Sequence, residues 1–198
     1  MLITLHQSIF MSFIFSTIII TFLCSIPFGL IVATLFYDID PRHYHSRNIG
    51  MSNTWRCCGA GAGLATLFLD TGKTVFALWI ATTINAPNLF VLGFLCVFFH
   101  CFSIYLNGKG GKGVACAGGV ILFFAPPIWY TAIGTWILIR FLSNKASVAS
   151  LCATLTVIIH TFLYEVWFAP CISMIGLLVL IRHKENIIRL RKKQELNL

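Results

Sequence analysis

Charge is scarce in this chain: 14 Lys or Arg and 6 Asp or Glu in 198 residues, 10% of positions. A water-soluble domain carries about 25%, so an ordinary soluble globule is excluded. A hydrophobic share of 58% excludes a disordered chain as well. No Cys-x-x-Cys occurs among the 8 cysteines, which removes the usual thiol metal and redox frameworks. Cys24, Cys96, Cys116, Cys152 and Cys171 lie in or beside apolar runs, where a thiol behaves as a small hydrophobe. The adjacent Cys57 and Cys58 lack partner ligands, and no metal is expected. The first apolar run is preceded by no basic stretch and followed by no small-residue cleavage site. It is expected to be a retained span rather than a signal peptide.

Long uncharged runs are what the chain has instead. A helix crosses the hydrocarbon core with about 20 apolar residues. Runs of this kind cover 9–36 (broken at Ser25-Ile26-Pro27), 59–84 (with Asp70 and Lys73 inside), 89–106, 114–139, 148–164 and 166–181. Basic residues mark the cytoplasmic side. Arg42, Arg47 and Arg56 place the first loop there, Lys109 and Lys112 a second, and Arg182, Lys184, Arg189, Arg191, Lys192 and Lys193 the tail. One crossing by 114–139 would bring the tail out on the wrong side, whereas splitting it at Pro126-Pro127 restores the parity. The expectation is an all-α, polytopic membrane helix bundle in a single domain, 1–198. It has about seven transmembrane segments, the N-terminus outside and the C-terminus in the cytoplasm. The net charge of +8 then faces anionic lipid and anionic substrates. Nucleic acid is not expected, because the basic residues form short clusters between apolar runs.

Polar residues gather in segments that this topology brings to one membrane face: 46–56, 109–113, 144–147 and 183–195. Lys109-Gly110-Gly111-Lys112-Gly113 suggests a phosphate cradle, since consecutive unencumbered N–H groups form an anion nest and lysines add point charges. It is not a Walker A loop, because Lys112 is followed by Gly113 rather than Ser or Thr. The segment 46–56 sets Ser46, Asn48, Ser52 and Asn53 between arginines, suiting a polyol phosphate. His183, Asn186 and Arg189 recur at i, i+3, i+6 as one polar stripe, and His183 is a candidate base. Asp70 and Lys73, three apart, neutralise each other inside the membrane. The nearest thing to an acyl-transfer His-x4-Asp is His160-x4-Glu165, so His160 and His6 are given no role.

These motifs, in this order, resemble the PlsY family of bacterial integral-membrane glycerol-3-phosphate acyltransferases. Cys24-Ser25-Ile26-Pro27-Phe28-Gly29 is similar to that family's G-S-I-P-F-G. Ser46-x-Asn48-Ile49-Gly50-x-Ser52-Asn53-x-x-Arg56 resembles S-G-N-I-G-A-T-N-x-x-R. Leu69-Asp70-x-x-Lys73 resembles L-D-x-x-K-G, and His100 stands at the family's G-H ahead of K-G-G-K-G-V-A, which 109–115 reproduce. Ser147-Val148-Ala149-Ser150 resembles S-L-A-S, and 183–190 with Glu195 follow H-R-E-N-I-x-R-L and its later Glu. Arg47, Met51, Ser52, Thr74, Asn144 and Lys193 depart from the family's usual Gly, Ala, Thr, Gly, Arg and Gly.

The resemblance implies transfer of a fatty acyl group from acyl-phosphate to the 1-hydroxyl of sn-glycerol 3-phosphate. The products are lysophosphatidate and phosphate, and the setting is phospholipid synthesis at the bacterial inner (cytoplasmic) membrane. The active site would face the cytoplasm, with no cofactor and no metal. Ser46, Arg56, Lys112, His183 and Asn186 are then expected to take part in catalysis. Asn48, Asn53, Lys109, Gly110, Gly111, Gly113, Ser147 and Arg189 are expected to bind substrate, while Asp70, Lys73 and Glu195 are structural. A carrier for phosphorylated anions, or a degenerate non-catalytic paralogue, are the alternatives.

Overall fold

A computed structural model describes residues 2–164 and 166–198, with side chains from Gln7 onward. Glu165 and the His6 side chain lie outside what it describes. Every regular element among the described residues is helical. The first apolar run is two helices, α1 (Leu2–Ser25) and α2 (Phe28–Tyr37), separated where Pro27 cannot donate to the ladder. A loop leads through the short α3 (Met51–Cys58) into α4 (Ala60–Thr83), the two meeting at Gly59 in a left-handed backbone, φ 89°. After a turn at 84–88 comes α5 (Leu89–Cys101). The glycine-lysine segment follows, and then α6 (Val114–Phe124) and α7 (Pro126–Ser143). The division of 114–139 at Pro126 is thus present, with proline at the helix start, where its missing N–H costs nothing. α8 (Ala146–Leu163), α9 (Ala169–Arg182) and α10 (Lys184–Arg191) complete the chain.

The segments 7–37 (α1 and α2), α4, 89–106 (α5 and the turn after it) and α8 are long and apolar enough to cross a bilayer. α6 and α9, of 11 and 14 residues, are shorter than the usual span. α5 packs against α1, α4, α6 and α9, and α4 also meets α1, α2, α3 and α6. Their shared core includes Ile20, Cys24, Leu78, Leu92, Cys96, Val97, Cys116, Val120 and Val179. At one end Phe90 stacks on Phe124 and Phe168 and meets Trp167 edge-on. The outside is apolar too. Phe10, Phe22, Phe36, Phe68, Phe76, Trp79, Phe141, Leu142 and Leu163 are exposed, far more apolar surface than a protein in water tolerates. This is a membrane protein, its hydrocarbon exterior solvated by lipid.

Candidate active site

A cavity of about 480 Å³ opens where α3, the loop before α6, the start of α8 and the α9–α10 junction meet. Its upper wall is polar: Ser46, Asn48, Arg56, Lys112, Ser147, His183, Asn186 and Glu195. Its lower wall is apolar and runs between α4, α6, α7 and α8, past Leu67, Phe68, Ile121, Trp129, Ile133, Trp136 and Val157. Charged head and hydrocarbon tail thus have adjoining compartments.

In the polar wall, Lys112 Nζ donates to Asn186 Oδ1 (2.5 Å) and Asn186 Nδ2 to Glu195 Oε1 (2.6 Å). Arg189 Nε donates to the other Glu195 oxygen at 2.8 Å. Three cations, Arg56, Lys112 and Arg189, therefore surround one internal carboxylate. Burial would raise the Glu195 pKa, but hydrogen bonds from Asn186, Ser147 and Arg189 hold it below its ordinary value. Burial, and next the repulsion of Arg189, push Lys112 down to about 8. An anion arriving beside Lys112 would reverse both effects. One Arg189 guanidinium nitrogen is buried with no hydrogen bond, and the buried Ser147 Oγ faces the Glu195 carboxylate. Arg56 is engaged by the tail, donating to the carbonyls of Asn197 (2.5 Å) and Leu196 (3.4 Å). Carbonyl oxygens there occupy positions that phosphate oxygens could take.

His183 Nδ1 lies 2.8 Å from the Val179 carbonyl. That contact puts the ring proton on Nδ1 and leaves Nε2 as an acceptor toward the cavity. Burial, then the Lys112 cation, push its pKa down to about 4, so the ring is neutral near pH 7.

The glycine-lysine segment differs from the expected anion nest. Lys109 N donates to Leu106 O, Gly110 N to Cys101 O and Gly111 N to His100 O, so those N–H groups are already used. Lys109, Gly110 and Gly111 lie outside the cavity wall, while Lys112 and Gly113 line it. A Cβ at Gly111 would meet His100 Nε2 at 2.1 Å, so only glycine fits between that ring and the chain. The segment is a bracket that presents Lys112 and the uncapped start of α6. Asn53 is likewise a builder of the loop: its Nδ2 donates to Pro41 O and Tyr44 O, and its Oδ1 accepts from Ser46 N. Asn48 Oδ1 accepts from Gly50 N. Arg47 and Lys193, both standing where glycine is usual, have left-handed backbones, φ 56° and 57°. The glycine has gone, but the turn that wanted it remains.

Asp70, Lys73 and His100 meet deeper in the bundle. Lys73 Nζ donates to Asp70 Oδ1 (2.7 Å) and the Ile26 carbonyl (2.7 Å), and lies 3.1 Å from His100 Nδ1. Asp70 and His100, with Cys116, are the described residues close enough together to hold a metal. The ammonium of Lys73 stands among them and supplies the cation. Arg182, read from sequence only as a membrane-side anchor, and Arg140 also have specific partners. Arg140 donates to Asn144 Oδ1 and the Leu198 carbonyl, and Arg182 to the carbonyls of Gly110 and Gly111. A basic residue at a span end carries no sequence mark to separate it from a topology anchor.

Comparison with known proteins bears on what this cavity is for. The glycerol-3-phosphate acyltransferase family model matches residues 14–193. The chain is 34% identical over 184 residues to a glycerol-3-phosphate acyltransferase of Fusobacterium nucleatum, covering 91% of this chain and 95% of that one. It is 36% identical over 182 residues to one of Solidesulfovibrio magneticus, covering 90% and 92%. The crystal structure of PlsY, an integral membrane glycerol 3-phosphate acyltransferase, in its glycerol 3-phosphate form superposes with a TM-score of 0.88. It is 31% identical and the match covers 94% of this chain and 96% of that one. Its lysophosphatidic acid form superposes with a TM-score of 0.84. Motif order, the charged wall over an apolar groove and these likenesses agree: the chain belongs to the glycerol-3-phosphate acyltransferase family of integral membrane proteins.

Proposed function

We propose that this protein transfers an acyl group from acyl-phosphate to the 1-hydroxyl of sn-glycerol 3-phosphate. The observation that carries the reading is one cavity lined both by the cations Arg56 and Lys112, with Arg189 bonded to the lining Glu195, and by a run of apolar side chains. Both substrates are phosphorylated and one has a hydrocarbon tail, so together they match that division. The solved relatives described as glycerol 3-phosphate and lysophosphatidic acid forms support the acceptor and the product. Acyl-phosphate is a mixed anhydride, already activated, so positioning and charge stabilisation supply most of the catalysis. The hydroxyl oxygen bonds to the acyl carbon, the acyl–phosphate C–O bond breaks, and the hydroxyl proton passes to the departing phosphate. Lys112, Arg56 and Arg189 hold phosphate oxygens, Asn186 fixes Lys112, and Ser46, Asn48 and Ser147 meet the remaining oxygens. His183 Nε2 accepts from the attacking hydroxyl and orients it. No cofactor enters this chemistry.

The same reading takes 1–198 as one domain crossing the inner membrane about seven times, with the cavity mouth in the cytoplasm. Purified protein given acyl-phosphate and labelled glycerol 3-phosphate should form labelled lysophosphatidate and one phosphate per ester. Absence of ester, with both ligands bound, would favour a carrier or a degenerate relative. Cysteines placed at Lys109 and Lys184, in a background lacking the native ones, should react with an impermeant reagent from the cytoplasmic side alone, and one at Thr83 from outside alone. Opposite-sided labelling of the first two would overturn the topology.

A further inference from the structure

We infer that Arg182 is a positioning residue: its guanidinium clamps the Gly110–Gly111 backbone to the α9–α10 junction and so fixes where Lys112 meets Asn186. Arg182 Nε donates to Gly111 O at 3.1 Å and its second nitrogen to Gly110 O at 2.9 Å. Two consecutive carbonyls are thereby held by one planar fork, a geometry that lysine cannot reproduce. The guanidinium also stacks over the Phe102 ring, 5.3 Å from its centroid, which fixes the fork itself. From the other side the bracket is held by His100 O and Cys101 O, which accept the two glycine N–H groups, and by the His100 ring where a Gly111 side chain would be. Both faces of these two peptides are therefore pinned. Lys112 is the next residue, and its ammonium reaches Asn186, four residues beyond Arg182. The clamp thus joins the donor and the acceptor of one contact through their own backbones.

Releasing the clamp frees two glycine carbonyls and lets Lys112 swing outward. Lys112 is faced by Arg56 on α3, by Arg189 and Glu185 on α10, by Glu195 in the tail and by His183 at the junction. Burial among them is what depresses it, so outward movement returns it toward the ordinary lysine value of 10.5. The proposal bears on the acyl transfer proposed above, but its first test needs no catalysis. Trace acetic anhydride labelling of the whole protein, read by mass spectrometry across pH, reports the Lys112 midpoint directly. Wild type should titrate near 8, Arg182→Ala well above it, and Arg182→Lys in between. An unmoved midpoint in folded Arg182→Ala overturns the clamp, whatever the protein catalyses.

Kinetics supply the second arm. Misplacing a reacting group by about an ångström costs up to about 100-fold, so Arg182→Ala should lose kcat/KM on that scale while its thermal midpoint changes little. Arg182→Lys keeps the charge and any topological role but breaks the fork. If it matches wild type in both midpoint and kcat/KM, Arg182 is an anchor and the inference fails. Should Arg182→Ala not fold, Arg182→Lys decides alone.

Discussion

Two charged clusters lie along the same cavity, and they are built on opposite principles. The deep one, Asp70, Lys73 and His100, balances: one carboxylate meets one ammonium at 2.7 Å, and the ring accepts from the same nitrogen. All three are nearly inaccessible. The outer one does not balance: Arg56, Lys112 and Arg189 meet one buried carboxylate, Glu195, and the exposed Glu185 at 3.9 Å from Arg189, and one Arg189 nitrogen is buried without a hydrogen bond. Ionisable groups inside a membrane are costly unless paired. A closed cluster therefore contributes architecture, and an open cluster marks where a ligand completes the account. Family motifs include both, so motif membership alone does not separate structural from substrate-binding residues, whereas the charge balance does.

The sharpest way to break this contrast is to open the closed cluster. Lys73→Met leaves the Asp70 carboxylate buried and unpaired, which should cost about 3–5 kcal/mol. The thermal midpoint in detergent should fall by many degrees. The double variant Asp70→Asn with Lys73→Met should recover much of the loss, since no lone charge remains. A single variant as stable as wild type would show that the deep cluster is not a balanced pair.

The open cluster should respond the other way. Lys112→Ala removes a charge-assisted contact worth about 1.5–3 kcal/mol, so kcat/KM should drop roughly ten- to a hundredfold with the fold intact. The wild type should lose kcat/KM as pH rises through about 8, where Lys112 deprotonates, and Lys112→Ala should lack that limb. Stability should move oppositely. Between about 8 and the ordinary 10.5 the unfolded chain holds a proton that the folded chain has shed, so stability rises with pH over that window. Activity and stability falling together there would remove Lys112 from the site.

Much of this was legible in the sequence. Pro27 and Pro126-Pro127 mark breaks that the helices obey, because a missing donor acts locally. The convergence of 46–56, 109–113 and 183–195 followed from the parity of basic loops. What the sequence hid depends on tertiary pairing. Nothing in 109–113 signals that the glycine N–H groups are spent on His100 and Cys101. Nor does the tail announce that its carbonyls engage Arg56. Arg47 stands where the family usually has Gly, yet it is exposed and left-handed, a feature of backbone and not of fit. Arg47→Gly should therefore relieve left-handed strain of about 1–2 kcal/mol. About 0.4–1 kcal/mol of this is offset by the freer unfolded chain. The result should be a thermal midpoint a few degrees higher at most, with kcat/KM within about twofold. A large kinetic effect would place Arg47 among the cations of the open cluster.

A small effect is also expected at the residue that looks most like a base. A general base normally contributes about 10²–10⁴-fold. His183 has a free Nε2 toward the cavity, but burial and the Lys112 cation push its pKa down to about 4. So weak a base gains little by taking a proton from an alcohol, whereas the departing phosphate is a stronger acceptor within the same pair of substrates. Its task is then a hydrogen bond, held in register by the Nδ1 contact to Val179 O. Glutamine also offers one acceptor and one donor, so His183→Gln should retain kcat within about threefold, under 1 kcal/mol. Neither form should show a break near pH 6.5, the ordinary histidine value. The sign of the stability effect follows as well: a histidine held neutral by folding loses stability for the fold as pH drops from about 6.5 toward 4, and His183→Gln should flatten that slope. Collapse of kcat in His183→Gln with glycerol 3-phosphate still bound would transfer the proton to His183 and make the open cluster a site of acid–base chemistry as well as of charge.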